Sequence, residues 1–276
     1  MPIPEEYKDL PVVASVSGGK DSTALCLYLQ EQGIKYRAVH MDTGFEHPAT
    51  DEYIREVLEP RIGPIEWIYP PLDMVGLIRK KGIFPSRKVR YCTELLKIKP
   101  FWYWISENYT GDVVNAVGIR AEESLARADL GETEEAFFGP IWRPLISWGI
   151  QQVVDIHKRH GVAPNPLYLK PGISRVGCWP CIYARKAEIA AVGHLSPERI
   201  ELIRGLESEL AVRAAPRVEA GEIKSIPTFF RSASANVTTP IDEVLDWANT
   251  LHGGKHRELF YDPDRSGCLR WGMCDV

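Results

Sequence analysis

No apolar run in this sequence approaches the roughly 20 residues that a membrane-spanning helix requires, so no membrane partner is expected. The opening MPIPEEYKDL is too polar and proline-bearing for a secretory signal, and the expected location is the cytoplasm. Neither sign of charge is in large excess: 33 Lys and Arg stand against 37 Asp and Glu, a formal net charge of −4. Bulk charge therefore excludes a general polyanion binder, and any nucleic-acid contact has to come from a local patch. There is no internal repeat. The seven histidines make no metal pattern; His157 and His160 lie three apart on one predicted helix with no third ligand and read as structural. Cysteine is scarce, 6 in 276 residues, and in a reducing compartment their grouping points to metal or catalysis before disulfides. That length suffices for one well-buried domain plus an appendage.

What is present centres on VVASVSGGKDS, residues 12–22. A short apolar run predicts a strand buried on both faces, Gly18 and Gly19 permit a sharp turn, and Asp21 and Ser22 open a helical pattern that Gly33 closes. Strand, glycine turn and helix aim backbone N–H groups and a helix N-terminus at one point. A phosphate chain fits there, with Lys20 adding formal charge. The stretch is neither of the two better-known phosphate loops. One needs a Gly four residues before Gly-Lys-Ser/Thr, the other three spaced glycines. It resembles instead the pyrophosphate loop of the adenine-nucleotide alpha-hydrolase superfamily, Ser-Gly-Gly-x-Asp-Ser, which Ser17, Gly18, Gly19, Lys20, Asp21 and Ser22 match throughout. The resemblance implies a grip on the β,γ-phosphates of ATP with Mg²⁺, while the α-phosphate is attacked.

Along the chain, YRAVHM predicts a second strand ending in Asp42-Thr43-Gly44, where Asp42 either meets a ribose hydroxyl or caps the turn. A helix stopped by Pro60 and a third strand, IEWIYP, follow. The string RKKGIFPSRKVR is broken by Gly82 and Pro85 and reads as a loop; Arg87, Lys88 and Arg90 would there bind a phosphorylated substrate or a nucleic-acid backbone. Cys92, with Arg90 and a helix start nearby, is a candidate thiolate nucleophile, with a small core residue as the competing reading. Phe101, Trp102 and Trp104 are expected to pack inward. A fourth strand, DVVNAVGI, runs into Gly118, Arg120 and Ser124, with Arg127 close behind, and Arg120 is placed for the α-phosphoryl centre. Ser196 and Pro197 are expected to open a long helix. Residues from about 215 to 239 lack any period and suggest a cover or partner-binding segment.

Cys178-Trp179-Pro180-Cys181 lets two sulfurs face one metal, and Cys268 and Cys274 supply a second pair. Four thiolates suit tetrahedral Zn²⁺ or an iron–sulfur cluster; spacing alone favours neither, and adjacent Trp179 and Trp271 could keep water off a cluster.

The Gly-x-Arg-x-x-x-Ser turn, a Pro-Leu-x-x-Trp before a helix and an Asn-Pro-Leu-Tyr before the cysteine pair together resemble the phosphoadenylylsulfate reductase family over roughly residues 12–185. The resemblance implies a doubly wound, mostly parallel α/β domain over residues 1–175. A small helical part, residues 176–276, would carry the four-cysteine centre. It adds Asp42, Thr43, Gly118 and Arg127 to the nucleotide site and favours a 4Fe–4S cluster over zinc, with Cys92 a fifth candidate ligand. Sulfonucleotide reductases differ in lacking an equivalent of Lys20 and in a Glu-Cys-Gly-like tail, whereas this chain ends CLRWGMCDV. The chemistry implied is therefore closer to ATP-dependent sulfurtransferases, including the DNA phosphorothioation component. Such a protein would take sulfur from a donor such as a cysteine desulfurase, would use a nucleic-acid or small-molecule acceptor, and could be a homo-oligomer. The rivals are an ATP-independent reductase and a non-catalytic nucleotide-binding module with structural zinc.

Overall fold

The computed structural model describes residues 2–231, 238–251 and 256–257. Val12, Val13 and Ala14 are enclosed on both faces, and β1 (Val12–Ser15) runs through the middle of a sheet. β2 (Tyr36–Met41), β3 (Ile65–Ile68), β4 (Val114–Ala116) and β6 (Ile141–Trp142) are parallel members, while the short β5 (Thr133–Glu134) runs antiparallel to β6. The order is β3-β2-β1-β4-β6-β5. The chain steps outward from β1 through β3, then returns to pair β4 with the other side of β1. A crevice therefore opens between the carboxyl ends of β1 and β4, the switch point where such sheets bind ligands.

β6 is not foreseen by the sequence reading. It is two residues long and held between Pro140 and Pro144, too short for any periodicity.

Helices cover both faces. α1 (Lys20–Glu31) leaves the glycine turn and packs against α8 (Ile150–Arg159). The helix that begins as α2 (Pro48–Glu52) does not stop at Pro60. It passes through a π-helical stretch, Tyr53–Leu58, into α3 (Glu59–Ile62), and Gly63 ends it with φ 93°. Glu59 N–H reaches the Ile54 carbonyl, and this wider turn accommodates a residue without an N–H. The same device recurs where α5 (Tyr91–Thr93) passes through Glu94–Ile98 into α6 (Lys99–Asn108), ahead of Pro100. α4 (Met74–Lys81) ends at Gly82, and α7 (Leu125–Ala128) is a single turn.

Further on lie α9 (Lys186–Leu195), α10 (Pro197–Glu219) and α11 (Ile241–Ala248). Their apolar sides join one buried cluster in which Phe45, Met74, Cys92 and Leu96 meet Leu167, Trp179, Val192 and Leu206. The second half of the chain thus packs onto the segments after β2 and β3.

Three local expectations are corrected. The Ser196 hydroxyl does not cap α10 but accepts the Trp179 indole N–H at 3.0 Å. Trp102 is 41% exposed; Phe101 takes the inward place on α6. The stretch from residue 215 begins as helix, since α10 runs past Pro216 to Glu219.

Candidate active site

The loop after β1 is fastened by its own side chains. Ser17 N–H donates to Ser22 Oγ at 3.1 Å, and Ser22 Oγ donates to the Gly19 carbonyl at 3.0 Å. Gly18 sits at φ 67°, and a Cβ there would lie 2.7 Å from Thr50 Cγ2. Gly118 shows why β4 must end in glycine: a Cβ would stand 2.5 Å from the Asp21 carbonyl oxygen. The two strand ends can meet under the loop only because these side chains are missing.

Asp21 organises the charge. Its carboxylate takes Lys20 Nζ at 3.0 Å on one oxygen and Arg120 Nε at 2.6 Å on the other, all three side chains being buried. Arg120 extends to Glu122 at 2.7 Å and to the Trp148 carbonyl at 3.4 Å. Glu123 accepts the Arg120 N–H at 3.1 Å and pairs with Arg127. Arg120 thus stands against the first turn of α1 with its charge engaged by two carboxylates.

Three residues that the sequence reading did not assign to the site hold the loop from behind. Asn165 Nδ2 donates to the Gly18 carbonyl at 3.2 Å, Lys20 N–H donates to Tyr168 Oη at 3.3 Å, and His157 Nε2 meets the Lys20 carbonyl at 2.9 Å. Burial pushes the His157 imidazole down and the Tyr168 phenol up, so both stay uncharged. Asn165 and Tyr168 belong to the Asn-Pro-Leu-Tyr string, a signal visible in sequence whose contact with the loop is not.

A cleft of about 530 Å³ occupies the switch point. Ser17, Lys20, Lys97, Gly118, Cys178 and Cys181 are among the residues that line it. A smaller side cleft shares Lys20, Glu123, Arg127 and Arg175 with it and adds Arg120 and Arg185. Arg175 and Arg185 form no ion pair among the described residues.

Asp42 and Thr43 are not among the residues that line this cleft. Asp42 Oδ1 accepts the Gly44 N–H at 2.7 Å, the turn-capping alternative. Thr43 is buried and donates to Glu46, whose carboxylate also takes the Phe45 N–H at 3.2 Å.

Cys92 is not among the residues lining the larger cleft. It lines a small apolar pocket together with Cys178 and Cys181. Burial raises its thiol pKa, outweighing the influences expected to lower it, and burial also pushes Cys178 up to about 11. Cys178 Sγ lies 3.7 Å from Thr43 Oγ1, and the Lys97 ammonium is held above its usual range first by Cys178 and then, against its own burial, by Glu46. Among the described residues no three Cys, His, Asp or Glu side chains are gathered as a metal site. Cys268 and Cys274 lie outside the described residues.

The phosphoadenosine phosphosulfate reductase domain profile matches residues 11–184, from β1 through the cysteine pair. The chain belongs to this family. An uncharacterised protein of Escherichia phage 186 is 33% identical over 95% of this chain and 96% of its own length. An adenosine 5′-phosphosulfate reductase of Deinococcus radiodurans is 28% identical, over 56% of this chain and 60% of that protein. The fold matches phosphoadenylyl-sulfate reductase from Candida auris with a TM-score of 0.50 at 17% identity, over 63% of this chain and 84% of that one. The chain thus has the adenine nucleotide alpha-hydrolase-type fold. No helix among the described residues is long and apolar enough to cross a membrane.

Proposed function

We propose that the protein binds ATP at residues 17–22, transfers AMP to an acceptor with release of pyrophosphate, and then replaces the adenylate by sulfur. The observation that carries this reading is that one cleft is lined both by the glycine loop and by Cys178 and Cys181. Phosphoryl activation and sulfur delivery require those two groups within reach of one substrate.

No side chain caps α1 at Gly19, and the β,γ-phosphates would meet its N-terminus and the Lys20 ammonium, which they would share with Asp21, while the Lys20 N–H stays with Tyr168. An acceptor oxygen attacks the α-phosphate, the bond to the bridging oxygen breaks, and pyrophosphate departs towards Lys20 and the side cleft. Asp21 holds Lys20 and Arg120 at fixed positions through this step. Since both Asp21 oxygens already carry cationic partners, Asp21 does not fit as a ligand for Mg²⁺, and no step is assigned to that ion. Sulfur brought by a donor such as a cysteine desulfurase and carried as a persulfide attacks the activated centre. AMP leaves with the acceptor's oxygen, and a thiol reductant cleaves the remaining S–S bond.

Cys178 and Cys181 supply two thiols suited to a 4Fe–4S cluster or Zn²⁺, but with Cys92 they do not gather as a three-ligand site among the described residues. Such a group would depend on Cys268 and Cys274, which lie outside them, and no step is assigned to it. A cluster there would supply a binding point for sulfur; zinc would lower the thiol pKa values and fix the tail.

Anaerobic purification followed by ATP–pyrophosphate exchange and by iron and zinc analysis of the same sample tests the reading. Exchange in the wild type that disappears in Lys20→Ala supports it. Equal affinity for ATP and AMP, with no exchange, overturns it. A second reading, thiol-dependent reduction of an adenylylsulfate, draws on the family match and the Deinococcus relative, and predicts sulfite formation without ATP.

A further inference from the structure

We propose that Arg87, Tyr183 and Arg90 form a docking platform for a single-stranded nucleic acid, which presents one nucleotide to the cleft. The proposal rests on the adenylation reading for its chemistry but on separate residues for its binding. The guanidinium of Arg87 lies 5.6 Å from the centre of the Tyr183 ring and that of Arg90 lies 5.4 Å from it. Arg90 stands two residues before Cys92, and Tyr183 two residues after Cys181. Both halves of the platform are thus tethered to the pocket that Cys92, Cys178 and Cys181 line.

The charge here is unmatched and concentrated within four residues. Arg37, Arg79, Arg159, Arg204 and Arg217 each hold a carboxylate, from Glu66, Glu209, Glu31, Asp242 and Glu222 respectively. Arg87, Lys88 and Arg90 are exposed and form no ion pair among the described residues, in a chain with more acids than bases. Three unmatched cations within four residues fit successive phosphates. A guanidinium steadied over an aromatic ring keeps its N–H edge for phosphate and its outer plane for a base. A duplex hides its bases and offers only its backbone, whereas an unpaired strand uses both features. Tyr183 acts here as a positioning residue for the two arginines.

The test is fluorescence anisotropy of the full chain with labelled dT12 and rU12, a 12-base-pair duplex, and poly-glutamate as competitor. Single strands should bind with a log–log salt slope of about −2 for three phosphate contacts. R87Q combined with R90Q should weaken binding about tenfold or more and flatten the slope. Tyr183→Ala should weaken it, and Tyr183→Phe should restore it, because the ring and not the hydroxyl holds the guanidinium groups. Equal binding of the duplex, equal competition by poly-glutamate, or unchanged affinity in R87Q/R90Q overturns the proposal. The dT12 and rU12 arms decide which sugar is accepted. ATP binding by the same wild-type sample separates the two readings. Oligonucleotide binding without ATP binding leaves the platform standing and removes adenylation; the converse removes only the platform.

Discussion

Asp21 carries two cations on one buried carboxylate, and the consequences differ for each partner. Lys20 is the one that a triphosphate would draw away, so Lys20→Ala should cost ATP about 1.5–3 kcal/mol of binding, read by calorimetry, while AMP affinity holds. Arg120 is 4% exposed, and Arg120→Ala leaves Asp21 and Glu122 short of a donor. It should lower unfolding free energy by about 3 kcal/mol in urea titration, beyond any loss of turnover. The expectation that Arg120 waits bare at the α-phosphate came from its place after a strand. Only the fold brings Asp21 against it, 99 positions away. Asp51 offers a control outside the cleft. Burial and the Asp42 and Glu46 charges raise its carboxyl to about 6, and one oxygen has no hydrogen-bond partner among the described residues. A raised carboxyl favours the folded state when protonated, so its cost grows between about pH 4 and 6 and is complete above. Asp51→Asn should therefore stabilise at pH 7.5 by about 1 kcal/mol, discounted for its half-exposed side chain, and should do nothing at pH 4.

At the scale of elements, the site depends on two strand ends, one glycine turn and the helix behind them. Gly118→Ala would push β4 off α1, since its Cβ meets a backbone oxygen that cannot rotate aside. A loss of about 1–3 kcal/mol in unfolding free energy, together with lost ATP binding, is the expected outcome. Histidines tie the elements together. His157 joins α8 to the first residue of α1, and His47 Nδ1 caps α2 by accepting the Ala49 N–H at 3.1 Å. Burial lowers the pKa of both, and of His40. Groups depressed in the folded state stabilise it above their unfolded value near 6.5 and lose that contribution as pH falls through the folded values. Thermal midpoints should thus drop on acidification below about pH 6.5, and His157→Gln should flatten the profile.

For the whole molecule, the cysteine pocket joins the segment after β3 to the segment before α9. If Cys178, Cys181, Cys268 and Cys274 hold one centre, its loss is strongly non-additive: each single Cys→Ser change should reduce metal content, measured by elemental analysis, about as far as the quadruple change. Near-normal metal in Cys92→Ser is expected beside them, and depletion there would make Cys92 a ligand.

The sequence by itself determined the elements whose signals are local. A five-residue apolar run, a glycine pair and a helical pattern make β1, the loop and α1, because backbone preference and burial period act within a few residues. The complete set from Ser17 to Ser22 also carried the nucleotide reading. Tertiary structure decided what lies opposite. Arg120 against Asp21, Tyr168 and Asn165 beneath the loop, Tyr183 between two arginines and Cys92 beside Cys178 are pairings across the chain. No periodicity encodes them; they follow from the sheet order and from the shared core that packs α9 and α10 onto the segments after β2 and β3. Burial then reversed the expectation for Cys92, because a thiol removed from water responds to the whole fold and not to its neighbours in sequence.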